Sequence, residues 1–418
     1  MMVAEAKKTA TEERLATLTQ PAGGGWLGRA REDALGRLRA VGMPGRRDEY
    51  WRYTDPTALV QAEPTSGAPT DAGDPWAGIE TLLIAIDGDE ITLPDTLPDG
   101  LEIGTLAQAG EADIHWARDI YGVLEGAGSR PISRPLAMLN TAYATAGLVI
   151  RATGKVATPV HIRTTGTGDP LHHHVVRVDS GAELTILKSG TAGARANTVT
   201  EIDVADGGTC HHFRIQGPDH DRHVNTHLFA RLGAESLLKS FTLSANGQLT
   251  RNEAVIELTG DHGAAHIACA AFGRDDFHHD DTVWVTHDAE NCESRQVFKK
   301  VLRDGATGVF QGKILVKEGA QKTDGYQISQ SLLLDDDSVF LAKPELEIYA
   351  DDVACSHGST TGAIDETALF YLRSRGVAEK DATDLLVLSF LAEALEEIGD
   401  DSLREHVSDR LADWLRDH

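Results

Sequence analysis

Cys355-Ser356-His357 is the segment of this chain whose residue types and spacing best suit chemistry. Along an extended strand side chains alternate faces, so Cys355 and His357 would project to one side, roughly 6–7 Å apart. Thiolate and imidazole are both good iron ligands. An ordinary iron–sulfur cluster takes about four protein ligands, and this segment offers two. Either the segment is not a cluster site, or a second chain completes it. Taken alone, the residues read more simply as a buried cysteine beside a structural histidine.

Histidine is the other chemical resource, with 18 in the chain. Groups fall at His172 to His174, His211 and His212, His220, His223 and His227, His262 and His266, and His278 and His279. Imidazole ligates metals and carries protons, and on one strand His262 and His266 would share a face. A metal-dependent enzyme would draw on these groups. No H-E-x-x-H occurs, however, and no group has a metalloenzyme's ligand spacing. They read as solvated or corner histidines of an acidic protein. The pairs Asp275–Asp276 and Asp280–Asp281 and the run Asp335 to Asp337 read as exposed turns. Cys210, Cys269, Cys292 and Cys355 form no C-x-x-C pair, which suggests free thiols in a reducing compartment and no structural zinc. GVFQGKI (308–314) superficially suggests a phosphate loop. Only three residues separate Gly308 from Gly312, and Ile314 follows Lys313 where a hydroxyl is needed for magnesium, so no ATP site is expected.

Composition narrows the partners. Over 418 residues, 65 acidic against 39 basic side chains leave a formal charge of −26, which disfavours nucleic acid and anionic membrane surfaces. The first twenty residues hold no apolar signal-peptide core, and the longest strongly apolar run, LLVLSFLA (385–392), is far short of a membrane span. A cytoplasmic protein is expected.

Three regions must position the candidate residues. Residues 1–112 begin with helical patterns at 12–18 and 26–40, broken by Pro21 and Gly23 to Gly25. They continue through a linker (61–78) to two short strands around a Gly turn (81–93). Residues from about 113 to 145 read as mostly helix. From about 147 to 355, short β-rich runs such as LTILKSG (184–190) and AVIELTG (254–260) are divided by similar turns: DSGAEL (179–184), ADGGTC (205–210), RLGAES (231–236), DHGAAH (261–266), RDGATG (303–308) and KEGAQK (317–322). Gly181, Gly207 and Gly233 are spaced by 26, the next steps are 30 and 42, and a related non-Gly turn, DAENCE (288–293), intervenes. Repeating turns favour a β-solenoid over a β-sandwich, which gives no reason for turns to resemble one another. The C-terminal part is helical. Asp365 and Glu366 suit a helix start, and Gly376 can end that helix. A second helix (379–398) is apolar on more than one face and wants two packing partners. A third carries one stripe: Leu403, Val407, Leu411, Trp414 and Leu415.

At KPELEIYADDVACSHGSTTGAIDETALFYLRSRG (343–376) the chain resembles the C-terminal signature of the SufB/SufD family, with ACSHGSTTGAID (354–365) nearer the SufD branch. GVFQGKILVKEGAQKTDGYQISQSLLLDDDS (308–338), LNTAYATAGLVI (139–150) and RRDEYWRYTD (46–55) also resemble the family. The likeness implies a mainly β fold. A right-handed parallel β-helix (113–360) would lie between an N-terminal region (1–112) and a C-terminal helical region (361–418). It implies a SufB-like partner joined through the β-helices, and a SufC ATPase bound by the C-terminal helices. Leu385, Leu386, Leu388, Phe390 and Leu391 are the candidate SufC contacts. The resemblance also places a transient iron–sulfur cluster at the SufB interface. His357 matches the histidine implicated there, and Cys355 stands two residues earlier with a less defined role. ATP hydrolysis would belong to SufC, whose motion would shift the SufB interface, so this chain is expected to be non-catalytic. A purely structural scaffold and a SufB-like member acting without SufD remain rival readings. A reduced flavin in the complex and self-pairing of the isolated chain are left open.

Overall fold

The computed structural model describes residues 2–21, 24–64, 73–190, 193–217 and 221–417. Gly23, His220 and part of the 61–78 linker lie outside them. The chain opens with α1 (Met2–Ala16), α2 (Gly25–Val41) and α3 (Thr57–Val60). The short strands β1 (Leu82–Asp87), β2 (Glu90–Thr92) and β3 (Leu101–Thr105) follow, then α4 (Leu106–Glu111), α5 (Val123–Gly128) and α6 (Pro135–Tyr143). The next strands are β4 (Leu148–Ala152), β5 (Val160–Thr165), β6 (Leu171–Val178), β7 (Glu183–Gly190), β8 (Arg195–Val204), β9 (Thr209–Gln216), β10 (His223–Leu232) and β11 (Leu237–Ala245). After them run β12 (Leu249–Leu258), β13 (Ala264–Gly273), β14 (His278–His287), β15 (Glu293–Leu302), β16 (Thr307–Val316), β17 (Asp324–Leu333), β18 (Val339–Ile348) and β19 (Ala354–Ala363). Helices α7 (Glu366–Ser374), α8 (Glu379–Leu395) and α9 (Asp401–Asp417) complete the described fold.

From β4 to β19 each strand pairs in parallel with the strand two places on. Even strands build one sheet and odd strands the other, a parallel β-solenoid of about seven turns. The sheets begin earlier in sequence than residue 113, because β1 pairs in parallel with β5 and β3 pairs antiparallel with β4.

The repeating turns are one corner of this solenoid. Gly181 N–H donates to Asp206 O, Gly207 to Ala234 O, Glu235 to Asp261 O, His262 to Glu290 O and Asn291 to Gln321 O. Each of these donors has positive φ, between 55° and 69°. The non-glycine members accept a left-handed conformation that costs an L-residue roughly 1–2 kcal/mol, because the bond to the next coil fixes it there. The irregular spacing also has a structural cause. RDGATG joins β15 to β16 and so lies at the opposite corner, whereas the other six turns lead from an even strand to an odd one. Gly260 sits where backbones nearly touch: a Cβ there would fall 2.1 Å from Ala234 N.

Strand alternation sorts the side chains into three layers. Inward residues such as Ile186, Ile202, Ile256, Val285 and Phe310 fill the solenoid. The outer face of the even sheet, with Val175, Val199, Phe229, Val255 and Trp284, is covered by Trp26, Leu27, Tyr50 and Leu124. The outer face of the odd sheet, with Phe213, Phe241, Ala268 and Val297, is covered by α8 and α9 through Val387, Leu391, Leu395, Leu403, Val407 and Leu411. The C-terminal stripe read from sequence is therefore a docking face. No helix among the described residues is long and apolar enough to cross a membrane.

Candidate functional site

The last coil is unlike the others. β18 and β19 are the terminal strands of their sheets, so each has one ladder edge without a partner strand among the described residues. Both are ten residues long, and such an edge is a template for pairing with another chain. Pro344 stands in β18, and an edge strand is where a sheet tolerates proline.

β19 places Cys355 opposite Gly325 and His357 opposite Gln327. Both side chains fall on the inward face of the last coil, whose strand β19 is mostly exposed. The Cys355 thiol packs against the cluster of Ile314, Val316, Ala320 and Ala350. Room for it comes from Gly325, where a Cβ would lie 3.1 Å from its Sγ. Burial pushes this thiol up from its ordinary pKa, against a hydrogen bond from the Gly325 backbone that acts the other way. His357 is exposed. Beneath it the ladder continues inward through Gln327 and Gln296, whose side chains are joined at 2.6 Å. Beside it Ser359 Oγ lies 3.1 Å from Ser329 Oγ. Nothing in local sequence marks Gln296 or Gln327; only the coil register brings them into line with His357. The two predicted residues thus share one terminal strand and one face, and two side chains fall short of the about four ligands of an ordinary cluster.

The predicted C-terminal residues divide. Leu391 is fully buried against the odd sheet, and Leu388 and Phe390 lie partly buried at its margin. Leu386 is half-buried, and Leu385 is half exposed. Phe370 and Tyr371 on α7 are the other large exposed apolar side chains of this region. The α7 start is capped as the sequence suggested, with the Asp365 carboxylate accepting from Thr367 and Ala368 N–H.

Most of the described histidines are not solvated, although His262 is exposed at a corner, as the sequence reading expected. His172, His173, His174, His212, His223, His227 and His279 are all buried. Their sequence looked like surface because a solenoid coil can carry polar rungs inside when each finds a partner. His173 lies 2.9 Å from Glu201, whose carboxylate also accepts from the Gly122 and Glu125 N–H groups at the start of α5. His262 occupies the corner and His266 the following strand, so they share no face; His266 lies 3.0 Å from Glu397, tying the odd sheet to the C-terminal region. Asp280 and Asp281, expected in an exposed turn, are buried in β14.

Asp281, His279 and Cys269 are, among the described residues, the group that could hold a metal, with ligand atoms within 4.8 Å of one another. That position already has a cation. Lys300 Nζ donates to Asp281 at 2.6 Å and to His279 Nδ1 at 2.9 Å. Burial and the Asp281 charge push the Cys269 thiol well above its usual pKa, so it is a poor ligand there. The trio is best explained as a closed hydrogen-bond network.

The motif at 46–55 is a clamp. Tyr50 donates to Glu345 at 2.7 Å, Lys343 lies 2.9 Å from Glu49, and Thr54 donates to Asp280 at 2.6 Å. Arg251 bonds Asp280 and Glu253 and stacks 4.1 Å over Trp51. This segment fixes the N-terminal region to β12, β14 and β18, beside the open coil.

Comparison with known proteins follows the same lines. Residues 162–390 match the family model described as SUF system FeS cluster assembly, SufBD core domain. The chain is 27% identical over 407 residues to the iron–sulfur cluster assembly protein SufD of Escherichia coli, covering 91% of each. It is 29% identical over 295 residues to an iron–sulfur cluster assembly SufBD family protein of Mycobacterium leprae, covering 68% of this chain and 75% of that one. A chloroplastic protein of Arabidopsis thaliana, ABCI7, is 26% identical over 432 residues, covering 93% of this chain and 86% of that one.

Proposed function

The chain belongs to the SufB/SufD family as a SufD-type scaffold subunit of iron–sulfur cluster assembly, and from that premise we propose that its open last coil pairs with a SufB-like subunit and brings His357 to the nascent cluster. The observation that carries this is the position of His357: exposed, on the inward face of a terminal strand with an unpaired edge. A strand added to that edge would enclose the face that carries His357 and Cys355 and supply the missing ligands.

Iron and sulfide are cargo in this reading, held by few and exchangeable ligands. One imidazole suits transient capture better than four thiolates do. Cys355 is the secondary candidate, since its burial disfavours thiolate. The SufC ATPase would dock where α7 and α8 expose Phe370, Tyr371 and Leu385, with Leu386, Leu388 and Phe390 at the margin. Leu391 is committed to the odd sheet and would support that surface from beneath. ATP hydrolysis then belongs to SufC, and its motion reaches the last coil through α8 and α7, the helix that follows β19. We assign this chain no bond-making step of its own, and place it in a cytoplasmic complex.

Co-expression of this chain with SufB and SufC from the same genome is the test. We expect one copy of this chain with one SufB and two SufC. In that complex His357→Ala should cut cluster formation about tenfold or more, the scale on which supporting groups at metal sites count. Cluster formation at the wild-type rate would remove the role of His357. A chain that elutes without SufB would remove the pairing.

A further inference from the structure

Two cations stand side by side inside the solenoid. Lys188 on β7 and Arg214 on β9 are directly paired in the parallel register. Their backbones are therefore about 4.8 Å apart, and like charges so placed repel. Both point inward between the sheets. Elsewhere in the same interior a cation has its carboxylate, as Lys300 has Asp281. Lys188 and Arg214 have hydroxyls instead. Lys188 Nζ donates to Thr200 Oγ1 at 3.1 Å, and the Arg214 Nη atoms donate to Thr226 at 2.7 Å and Thr242 at 3.2 Å. Arg214 Nε is buried with no partner. The carboxylate whose charge reaches Arg214, that of Asp281, is already bonded to Lys300.

The space beside them is open. Two adjoining cavities, of about 40 and 70 Å³, are both lined by Lys188, Arg214, Thr198 and Thr226. Each exceeds the ~10–15 Å³ that one water requires. Both cations are half-buried and line both cavities. His212 also lines the first cavity. Its Nδ1 lies 3.1 Å from Ser240 Oγ, and its buried Nε2 has no partner.

We propose that this interior site binds a small inorganic anion of halide size, chloride or hydrosulfide, beside Lys188 and Arg214. Cavity size and charge select that class. Thr226 and Thr242 each take one N–H from an Nη of Arg214, and Thr200 takes one from Lys188, so both cations keep unused N–H donors. Cavities of about 40 and 70 Å³ hold an anion of few atoms, and neither cation has a carboxylate of its own. Buried charge without a partner is costly, and an anion removes that cost.

Binding should be linked to protons. Burial first, and Arg214 second, lower the Lys188 ammonium to about 7. The other titratable groups facing it are His212 on β9 and His172 and His174 on β6, all lowered chiefly by burial and neutral near pH 7. Cys269 and Asp281 face Arg214 from β13 and β14, and Arg222, which lines the second cavity, adds a further positive charge. A bound anion favours charged Lys188, so affinity rises as pH falls through neutrality.

Crystals of the full chain grown in bromide and measured at the bromine edge should show an anomalous peak in the cavities beside Lys188 and Arg214, stronger one unit below neutrality than one unit above. Thermal melting in bromide should exceed that in gluconate at equal ionic strength by about 1–3 °C. Lys188→Met and Arg214→Met should lose both effects yet fold, because replacing a buried charge with an apolar side chain is often neutral or stabilising. Added hydrosulfide that displaces the bromide peak identifies sulfide as an occupant, an arm that alone rests on the assembly function; a peak that persists assigns the site to halide, and either supports the site. No bromide peak in the folded protein, or a halide-specific gain unchanged in both variants, overturns it.

Discussion

Cys355 owes its accessibility to the last coil rather than to its own chemistry. The other three cysteines lie inside or at the corner of closed coils, and burial pushes all three thiols up, that of Cys210 to about 12. Reactivity follows thiolate fraction and access together. Brief alkylation of the native chain, read by peptide mass spectrometry, should therefore label Cys355 first, and Cys355→Ser should abolish the fast phase. Labelling of Cys269 at a comparable rate would mean that the interior opens readily. At this scale the sequence was only partly legible. Alternation alone placed Cys355 and His357 on one face, and the structure agrees. It could not separate an exposed histidine from a buried one, because burial at His174 or His279 depends on partners 20 or more residues away in sequence, such as Lys300 at 2.9 Å from His279.

Corners and the docked helices carry the element-scale argument. Glu235 has φ 55° and its N–H donates to Asp261 O at 2.8 Å. Glu235→Gly relieves the left-handed strain and should gain up to about 1 kcal/mol. Glu235→Pro both forbids that φ and deletes the donor, and should lose about 3 kcal/mol or more. Urea midpoints of the two variants check the pair, and equal midpoints would remove the corner's energetic role. The turn likeness in the sequence was this corner made visible. Its irregular spacing was not decipherable there, since RDGATG mimics one corner while occupying the other. Helix α8 shows the same limit. Its apolar excess signalled two partners, and one of them is the odd sheet. Leu391→Ala should thus cost about 2–5 kcal/mol in the isolated chain. Leu385→Ala should stay within about 0.5 kcal/mol while weakening SufC binding in a pull-down. A reversed order of stability losses would place α8 the other way round.

For the whole molecule, a solenoid whose interior is partly polar must keep its imidazoles neutral. Burial lowers His279 to about 3, despite the opposing charge of Asp281, and His287 to about 4, and it holds His174 and His212 well below the usual value. The unfolded chain takes up these protons near pH 6.5 and the folded chain does not. Stability is therefore complete above about pH 6.5 and falls as pH drops toward the folded values, by about 1.4 kcal/mol per pH unit for each histidine still neutral. Most carboxylates keep their charge between about pH 6.5 and 5, so the loss in that window belongs to the histidines. Urea unfolding across it should show a midpoint that drops steeply with acid. His287→Asn, which removes one such group beside Ser294, should make the slope shallower by about one proton. A midpoint flat from pH 7 to 5 would mean that the buried imidazoles bind protons in the folded state, which their burial and their partners Lys300, Ser240 and Ser294 oppose.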